Sequence, residues 1–522
     1  MTIIRLPSNP RIQVHSVFRL IRPCRAVWLL CLVLGCVPVV VSAVELADIE
    51  SRRWLKLSAP GMVIISDASE SQLRKWAAEI ELFRRGLQLT LPVSSARNET
   101  PVTIYLFRSE GALRPFLPVV DGKPARAVAF FNSILGHNLG AVSLGGSRFD
   151  ARERIYHELT HWHLLRAGVE LPLWLQEGMA QVFETFTLTG DKLRLGHHRE
   201  GLFEHVRIAG TPPLAPLIQT AELDISSAGF KHGRTDLFYA QSWSLAHMLV
   251  FGAEGGSMMK VTNYIAALRR GAGPEEAFGI GFGMSLQDAH ARLDTYIRSP
   301  RWRMLEFPIG RTGLPEHKVS PVSASELDGS AALLLLAAGH KLPAQQLISR
   351  LLNQNPADPF VWELQAALMM DPGSMSADRA VGPLARAYQL GSRNPITCCL
   401  LGYFSLENGM PVDIGTDTLG LFHAALLARR GFMPAYEGIA ASVLAGTARP
   451  SGEMRRDVLA GLALAPTAPL LNLAAAHLEI TDGKKTEAQS RLTRLLAAHP
   501  DLSMQLRQKV GELLAAAESR SR

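Results

Sequence analysis

The segment RIYHELTHWHLLRAGVELPLWLQEGMAQVFE, residues 154–184, carries the most informative pattern of the chain. Its first half predicts a helix from about Asp150, a residue that suits an N-cap, to about Arg166, with Gly168 available to end it. Its second half predicts another helix from Leu173 to Phe186. The N-terminal half of the protein is therefore expected to be organised around two consecutive helices.

Within the first helix, His157, Glu158 and His161 spell H-E-x-x-H. Four residues rotate a helix by about 400°, so both imidazoles project from one face about 6 Å apart. That separation suits two ligands of one tetrahedral metal ion. Glu158 sits about 100° round from His157, where it can take a proton from metal-bound water without being a ligand. The neighbouring residues are uncharged, which favours a buried helix over one with two surface histidines.

The second helix supplies a third predicted ligand, Glu177, sixteen residues after His161. Glu184 lies seven residues further on the same helix face, but it lacks the E-G-x-A context, so Glu177 is preferred. H-E-x-x-H in residues 157–161, followed by W-L-x-E-G-x-A in residues 174–180, resembles the gluzincin metallopeptidases. More narrowly, it is similar to bacterial peptidase-MA-like domains.

The resemblance covers about Trp54 to Ile297 and implies a zinc-dependent peptidase. It implies that His157, His161 and Glu177 bind zinc, that a water takes the fourth position, and that Glu158 acts as general base and then as general acid. Two imidazoles and one carboxylate leave net positive charge on the ion, which lowers the pKa of the bound water towards about 7.

Two further parts of the site are expected from the same family. A tetrahedral oxyanion needs a hydrogen-bond donor, and Tyr239 is the candidate, with His247 as its rival. A buried structural tyrosine is the alternative interpretation of Tyr239. By analogy, the strand at Ala141–Leu144 is expected to be the sheet edge that pairs with an extended peptide.

The first 43 residues predict an export signal. Arginines without any acidic residue precede the apolar stretch Ala26–Val41, and Ser42 and Ala43 fit cleavage after Ala43. Two alternatives stay open: the stretch approaches the length of a membrane anchor, and Val33–Cys36 loosely resembles a bacterial lipobox. The protein is expected to be periplasmic or secreted, and bound to a membrane only if the leader is retained or lipidated.

Composition indicates a globular protein without a nucleic-acid partner. The net charge of +7 includes five arginines of the leader, and without them 49 basic residues face 47 acidic ones. Three of the five cysteines also lie in the leader. The adjacent Cys398 and Cys399 are expected to be packed as small apolar residues, so no disulfide framework is predicted.

We predict an α+β fold with two domains. Residues 44–300 are expected to form the gluzincin-like peptidase domain, and the Pro- and Gly-rich residues 301–322 a linker. Residues 323–522 are rich in Ala and Leu, and prolines recur at intervals of 39, 39, 32 and 34 residues, as in stacked helical hairpins. These prolines are Pro356, Pro395, Pro434, Pro466 and Pro500.

The last of these units resembles a tetratricopeptide repeat, with Gly483 at the inter-helix turn and Ala488 where two helices approach. We therefore expect an exported zinc metallopeptidase that hydrolyses peptide bonds of a peptide or protein substrate. The repeats are expected to recruit that substrate or a protein partner. The alternative is a non-enzymatic envelope scaffold that binds protein partners through its repeats.

Overall fold

A computed structural model describes residues 51–92, 101–120, 123–124, 129–145, 148–164, 171–197, 200–219, 234–253, 256–298, 302–310, 318–370, 378–408, 414–446, 451–499 and 502–518. The predicted export signal, residues 1–43, lies outside them, and so does Pro500. Among these described residues, no helix has both the length and the apolar character that crossing a membrane requires. The fold is mixed α+β, as predicted, and it ends in a helical-repeat region.

The secondary structure consists of short strands and many helices. The strands are β1 (Leu55–Ala59), β2 (Met62–Ser66), β3 (Val102–Phe107), β4 (Val119–Val120), β5 (Lys123–Pro124), β6 (Ala129–Ile134), β7 (His137–Ser143), β8 (Thr187–Thr189), β9 (Lys192–Leu195), β10 (Leu305–Pro308) and β11 (Val319–Pro321). The helices before residue 300 are α1 (Glu70–Thr90), α2 (Glu110–Leu113), α3 (Arg148–Leu164), α4 (Leu173–Phe183), α5 (Glu200–Ala209), α6 (Leu214–Gln219), α7 (Arg234–Phe251), α8 (Met258–Arg269), α9 (Pro274–Phe282) and α10 (Leu286–Arg298). The later helices are α11 (Ala324–Ala337), α12 (Lys341–Gln354), α13 (Pro359–Met369), α14 (Asp378–Gln389), α15 (Pro395–Asn408), α16 (Thr418–Ala428), α17 (Met433–Ala445), α18 (Gly452–Leu464), α19 (Pro469–Thr481), α20 (Lys485–Ala498) and α21 (Met504–Glu518).

A six-stranded sheet in the order β11-β1-β2-β3-β7-β6 supports the N-terminal half. Its strands β2, β3 and β7 run parallel, and the other three pair antiparallel with their neighbours. Strand β3, VTIYLF, has buried side chains on both of its sides because the sheet is covered on both faces. Ile104 and Leu106 belong to the core on one face, and Tyr105 and Phe107 belong to the core on the other.

Helices α1 and α3 contribute to the core on the first face of the sheet. Helix α1 begins with a capping box, in which Ser69 Oγ accepts from the Gln72 backbone N–H and the Gln72 side chain accepts from the Ser69 backbone N–H. Leu73, Trp76 and Ile80 follow at helical spacing and are buried in this core. This packing gives α3 a fixed support.

The second face of the sheet is covered by α11 and α12, which follow the predicted linker. Asn132 Nδ2 on β6 donates to the Ala337 carbonyl at 2.8 Å, which ties the sheet directly to α11. The predicted linker, residues 301–322, contributes β10, which pairs with β9, and β11, which pairs with β1. The boundaries drawn at 300 and 323 stay a prediction, but the sheet and the first helical pair share one core.

The prolines of the C-terminal region lie where helical pairs meet. Pro356 lies between α12 and α13, Pro395 begins α15, Pro434 is in the first turn of α17, and Pro466 precedes α19. Because proline lacks a backbone N–H, it suits the first turn of a helix and the turn before it. The recurrence in sequence therefore marks the helical pairs of the structure.

Small residues shape the interior of these pairs. Gly483, at φ 78°, lies in the turn between α19 and α20, and Ala488 of α20 is fully buried. Cys398 and Cys399 are free thiols buried in the core of the repeats, and burial raises the pKa of Cys398 to about 12. They are packed as small apolar residues, as expected.

The edge of the sheet differs from the expectation. The prediction that Ala141–Leu144 is the sheet edge is wrong, because β7 lies between β3 and β6, with Ala141 opposite both Tyr105 and Phe130. Among the described residues, β6 is the outermost strand on this side of the sheet. The reason is the tight turn at Leu135 and Gly136, which folds β6 back onto β7. Strand β6 then occupies the backbone hydrogen-bonding groups of β7 that a peptide would need.

Candidate metal centre

Helix α3 places His157 and His161 side by side, one helical turn apart. Their Nε2 atoms lie 3.1 Å from each other and their ring centroids 4.8 Å apart. Ile155, Tyr156 and Leu159 are fully buried around them, so this helix is a core element, as the uncharged sequence predicts. The helix begins at Arg148, two residues before the predicted N-cap at Asp150.

Helix α4 brings Glu177 to the two imidazoles. Its Oε2 lies 3.5 Å from His157 Nε2 and 3.8 Å from His161 Nε2, and the side chain is 1% exposed. A point equidistant from these three atoms lies about 2.0 Å from each, which matches the usual Zn–N and Zn–O distances of about 2.0–2.2 Å. The three predicted ligands are thus brought together in a triangle of the right size for one ion.

Glu184 lies behind His157 and was missed as a functional residue. Its Oε2 is 2.9 Å from His157 Nδ1. Because a carboxylate accepts hydrogen bonds, Nδ1 carries the proton and Nε2 presents its lone pair to the centre. Such a carboxylate–histidine pair orients metal ligands and raises their basicity. The signal in the sequence was its position seven residues after Glu177, on the same helix face.

The chemistry of these donors fits a divalent cation. The His157 Nε2 lone pair faces a carboxylate oxygen of Glu177 at 3.5 Å, and both residues are buried. Two electron-rich atoms at this separation in a low-dielectric interior repel each other unless a cation lies between them. A doubly charged ion would also balance the buried carboxylates of Glu177 and Glu184.

Gly178 explains why α4 can approach so closely. A Cβ built at Gly178 would lie 2.4 Å from the Ser242 carbonyl oxygen and 2.8 Å from Ala246 Cβ, both on α7. Any side chain here would push the two helices apart. The glycine of the E-G-x-A pattern therefore lets α4 pack against α7, and this packing fixes the position of Glu177.

The predicted base and oxyanion donor lie on helices α3 and α7. Glu158 follows His157 on α3 and is partly buried. Tyr239 is partly buried on α7, and its backbone carbonyl accepts a hydrogen bond from Gln181 Nε2, one turn after Glu177. The catalytic roles of Glu158 and Tyr239 stay predictions.

The rival donor, His247, has both ring nitrogens engaged inside the protein. Its Nε2 lies 3.0 Å from the Gly196 carbonyl and its Nδ1 lies 2.8 Å from the Tyr296 hydroxyl. The carbonyl must accept, so Nε2 donates and the tyrosine hydroxyl donates to Nδ1. This leaves neither nitrogen for a substrate oxygen, and His247 has a structural role.

A comparison of the chain with models of known protein families finds no match, and a comparison with curated proteins finds none either.

Proposed function

We propose that the protein is a gluzincin-type zinc metallopeptidase. The convergence of His157 Nε2, His161 Nε2 and Glu177 Oε2 around one point supports this proposal most directly. Glu184, hydrogen-bonded to His157, adds support, because an oriented imidazole is typical of a working metal site.

Each residue has a defined task in this proposal. Zinc held by His157, His161 and Glu177 would lower the pKa of a bound water and polarise the scissile carbonyl. Glu158 takes the proton of the attacking water and returns it to the leaving amine as the peptide bond breaks. Tyr239 donates a hydrogen bond to the oxygen that becomes negatively charged.

The substrate is an extended peptide segment of a protein in this proposal. The edge strand β6 has no second strand paired to it among the described residues, so its outer edge is suited to β-strand addition. Binding through backbone hydrogen bonds would be tolerant of side-chain sequence. An exported enzyme, periplasmic or secreted, would act on proteins of that compartment, with the repeats contacting the substrate or a protein partner.

The proposal is tested by replacing Glu158 with glutamine. We expect Glu158→Gln to keep one zinc per chain by elemental analysis, because Glu158 is not a ligand. Cleavage of a random peptide mixture should fall by about 100-fold or more, since the proton acceptor is lost. Glu153→Gln, the same substitution on the same helix, is the matched control and should cleave normally.

Two outcomes would contradict the proposal. Equal cleavage by Glu158→Gln and the wild type would show that Glu158 is not the general base. A wild-type protein that binds zinc and cleaves no peptide, with or without a chelator, would favour the envelope scaffold instead.

A further inference from the structure

The turn between β6 and β7 has an unusual backbone. It consists of Leu135 at φ 45° and Gly136 at φ 78°, the conformation of a tight two-residue hairpin turn. Leu135 is the one non-glycine residue with a positive φ in the part of the chain that the structure describes. A bulky residue is strained in this conformation, so a compensating interaction must hold it there.

The compensating interaction is burial in the helical repeats. Leu135 is 4% exposed and belongs to the apolar core formed by α13 to α21. Its carbonyl accepts a hydrogen bond from Asn394 Nδ2 at 2.8 Å. Gly136 packs so closely on Ile396 that an added Cβ would lie 3.1 Å from the Ile396 Cδ1. The hairpin tip is thus inserted beside the start of α15.

His137, the first residue of β7, makes the polar half of this contact. Its Nε2 lies 2.7 Å from Glu363 Oε2 on α13. Glu363 is 4% exposed and also accepts hydrogen bonds from Ser392 Oγ, Asn394 Nδ2 and Thr397 Oγ1. Burial raises the pKa of Glu363, but the hydrogen bond and charge of His137 and the other donors outweigh burial and hold that pKa below its ordinary value. The contact is therefore charge-assisted.

The same hairpin leads to the metal centre. Both β6 and β7 contact α3, which carries His157 and His161. Phe131 of β6 fills the space beside Gly140 of β7, where an added Cβ would lie 2.1 Å from the Phe131 ring. The two strands are therefore held together by packing as well as by hydrogen bonds, and a movement of the tip would be carried along the edge strand.

We propose that Leu135, His137 and Glu363 are positioning residues that hold β6 in the orientation in which it binds an extended peptide. The expected effect of these residues on substrate binding rests on the proposed peptidase function. The repeats then contribute to substrate binding indirectly, because α13 and the start of α15 contact the hairpin tip and fix the position of the sheet edge. A change in the packing of these helices would change the affinity for substrate without touching the metal ligands.

Two variants of the full-length protein test this proposal, one in the hairpin tip and one in α13. Leu135→Gly suits the positive φ and removes the buried side chain. Glu363→Gln keeps the size of the side chain and removes its charge. Glu479→Gln, which breaks an ion pair with Arg491 in the last repeat, is the matched control. Hydrogen–deuterium exchange of residues 129–143, zinc content, and KM and kcat on fluorescein-labelled casein are measured for each.

We expect both variants, but not the control, to exchange the amides of β6 and β7 about ten-fold faster or more. Zinc content should be unchanged, and KM should rise about five-fold with kcat nearly constant, because substrate binding is weakened before the chemical step. Unchanged exchange, or faster exchange with unchanged KM, would overturn the proposal. If the wild type cleaves no casein, the proposed function is contradicted, and exchange alone then decides whether the tip holds the strand.

Discussion

Replacing Gly178 with alanine tests whether the contact between α4 and α7 positions the third metal ligand. The added Cβ would lie 2.4 Å from the Ser242 carbonyl oxygen, whereas ordinary contacts begin near 3.4 Å. The helices must therefore separate by about 1 Å, and overpacking of this kind costs about 1–3 kcal/mol. Because Glu177 precedes Gly178, the shift exceeds the tolerance of about 0.2 Å for metal–ligand distances.

We expect Gly178→Ala to lower Tm by several degrees and to weaken zinc binding by about ten-fold or more. Thermal unfolding followed by tryptophan fluorescence, and competition with a chromophoric chelator, measure the two effects. Gly279→Ala is the control, because Gly279 lies in α9 with nothing within 4 Å of an added Cβ. That variant should gain about 0.5–1 kcal/mol from helix propensity. If Gly178→Ala matches it in both measurements, the contact does not position Glu177.

Two further predictions concern the carboxyl groups of Glu184 and Glu437. Glu184→Gln should weaken zinc binding by about 10–100-fold in the same competition assay, because His157 loses its anionic partner; equal affinity would show that the hydrogen bond is not needed. Burial raises the pKa of Glu437 from 4.5 to about 7, so its stabilising contribution is complete below about pH 4.5 and is lost as the pH rises through about 7. Between pH 4.5 and 8 the wild type should lose up to about 3 kcal/mol of unfolding free energy from this group, and Glu437→Gln should not. The Tm of the variant should therefore depend less on pH than that of the wild type. Parallel curves of Tm against pH would contradict this prediction.

The parts of the structure that the sequence predicted well are local. Helix geometry alone places His157 and His161 on one face of α3, and their side-chain conformations then bring the two Nε2 atoms to 3.1 Å from each other. The hairpin of β1 and β2 around Gly61 is equally local. The capping box at the start of α1 likewise involves only Ser69 and Gln72, three residues apart in the chain. Such features depend on residues within one or two turns of each other, so a pattern in the chain is enough to predict them.

Glu184 shows where local reasoning stopped at the metal centre. The sequence places it on the helix face of Glu177, and this pattern predicts one of the two carboxylates as a ligand without giving the other a role. In the structure both carboxylates lie next to His157, Glu177 beside Nε2 and Glu184 at Nδ1, because an imidazole has two nitrogens on opposite sides of its ring. A second carboxylate near a metal-binding histidine is therefore a candidate partner for the other ring nitrogen.

The edge of the sheet and the role of the first repeats depend on contacts that no local pattern contains. Strand β3 is buried on both sides, but only one set of covering helices lies near it in sequence. The second set, α11 and α12, follows more than 200 residues later. A terminal helical pair of a repeat array has one apolar side without a neighbour, and here the sheet takes the place of that neighbour. Burial of apolar surface, which stacks the repeats on each other, thus also attaches them to the sheet. The hairpin tip at Leu135 is then packed in the core of the repeats.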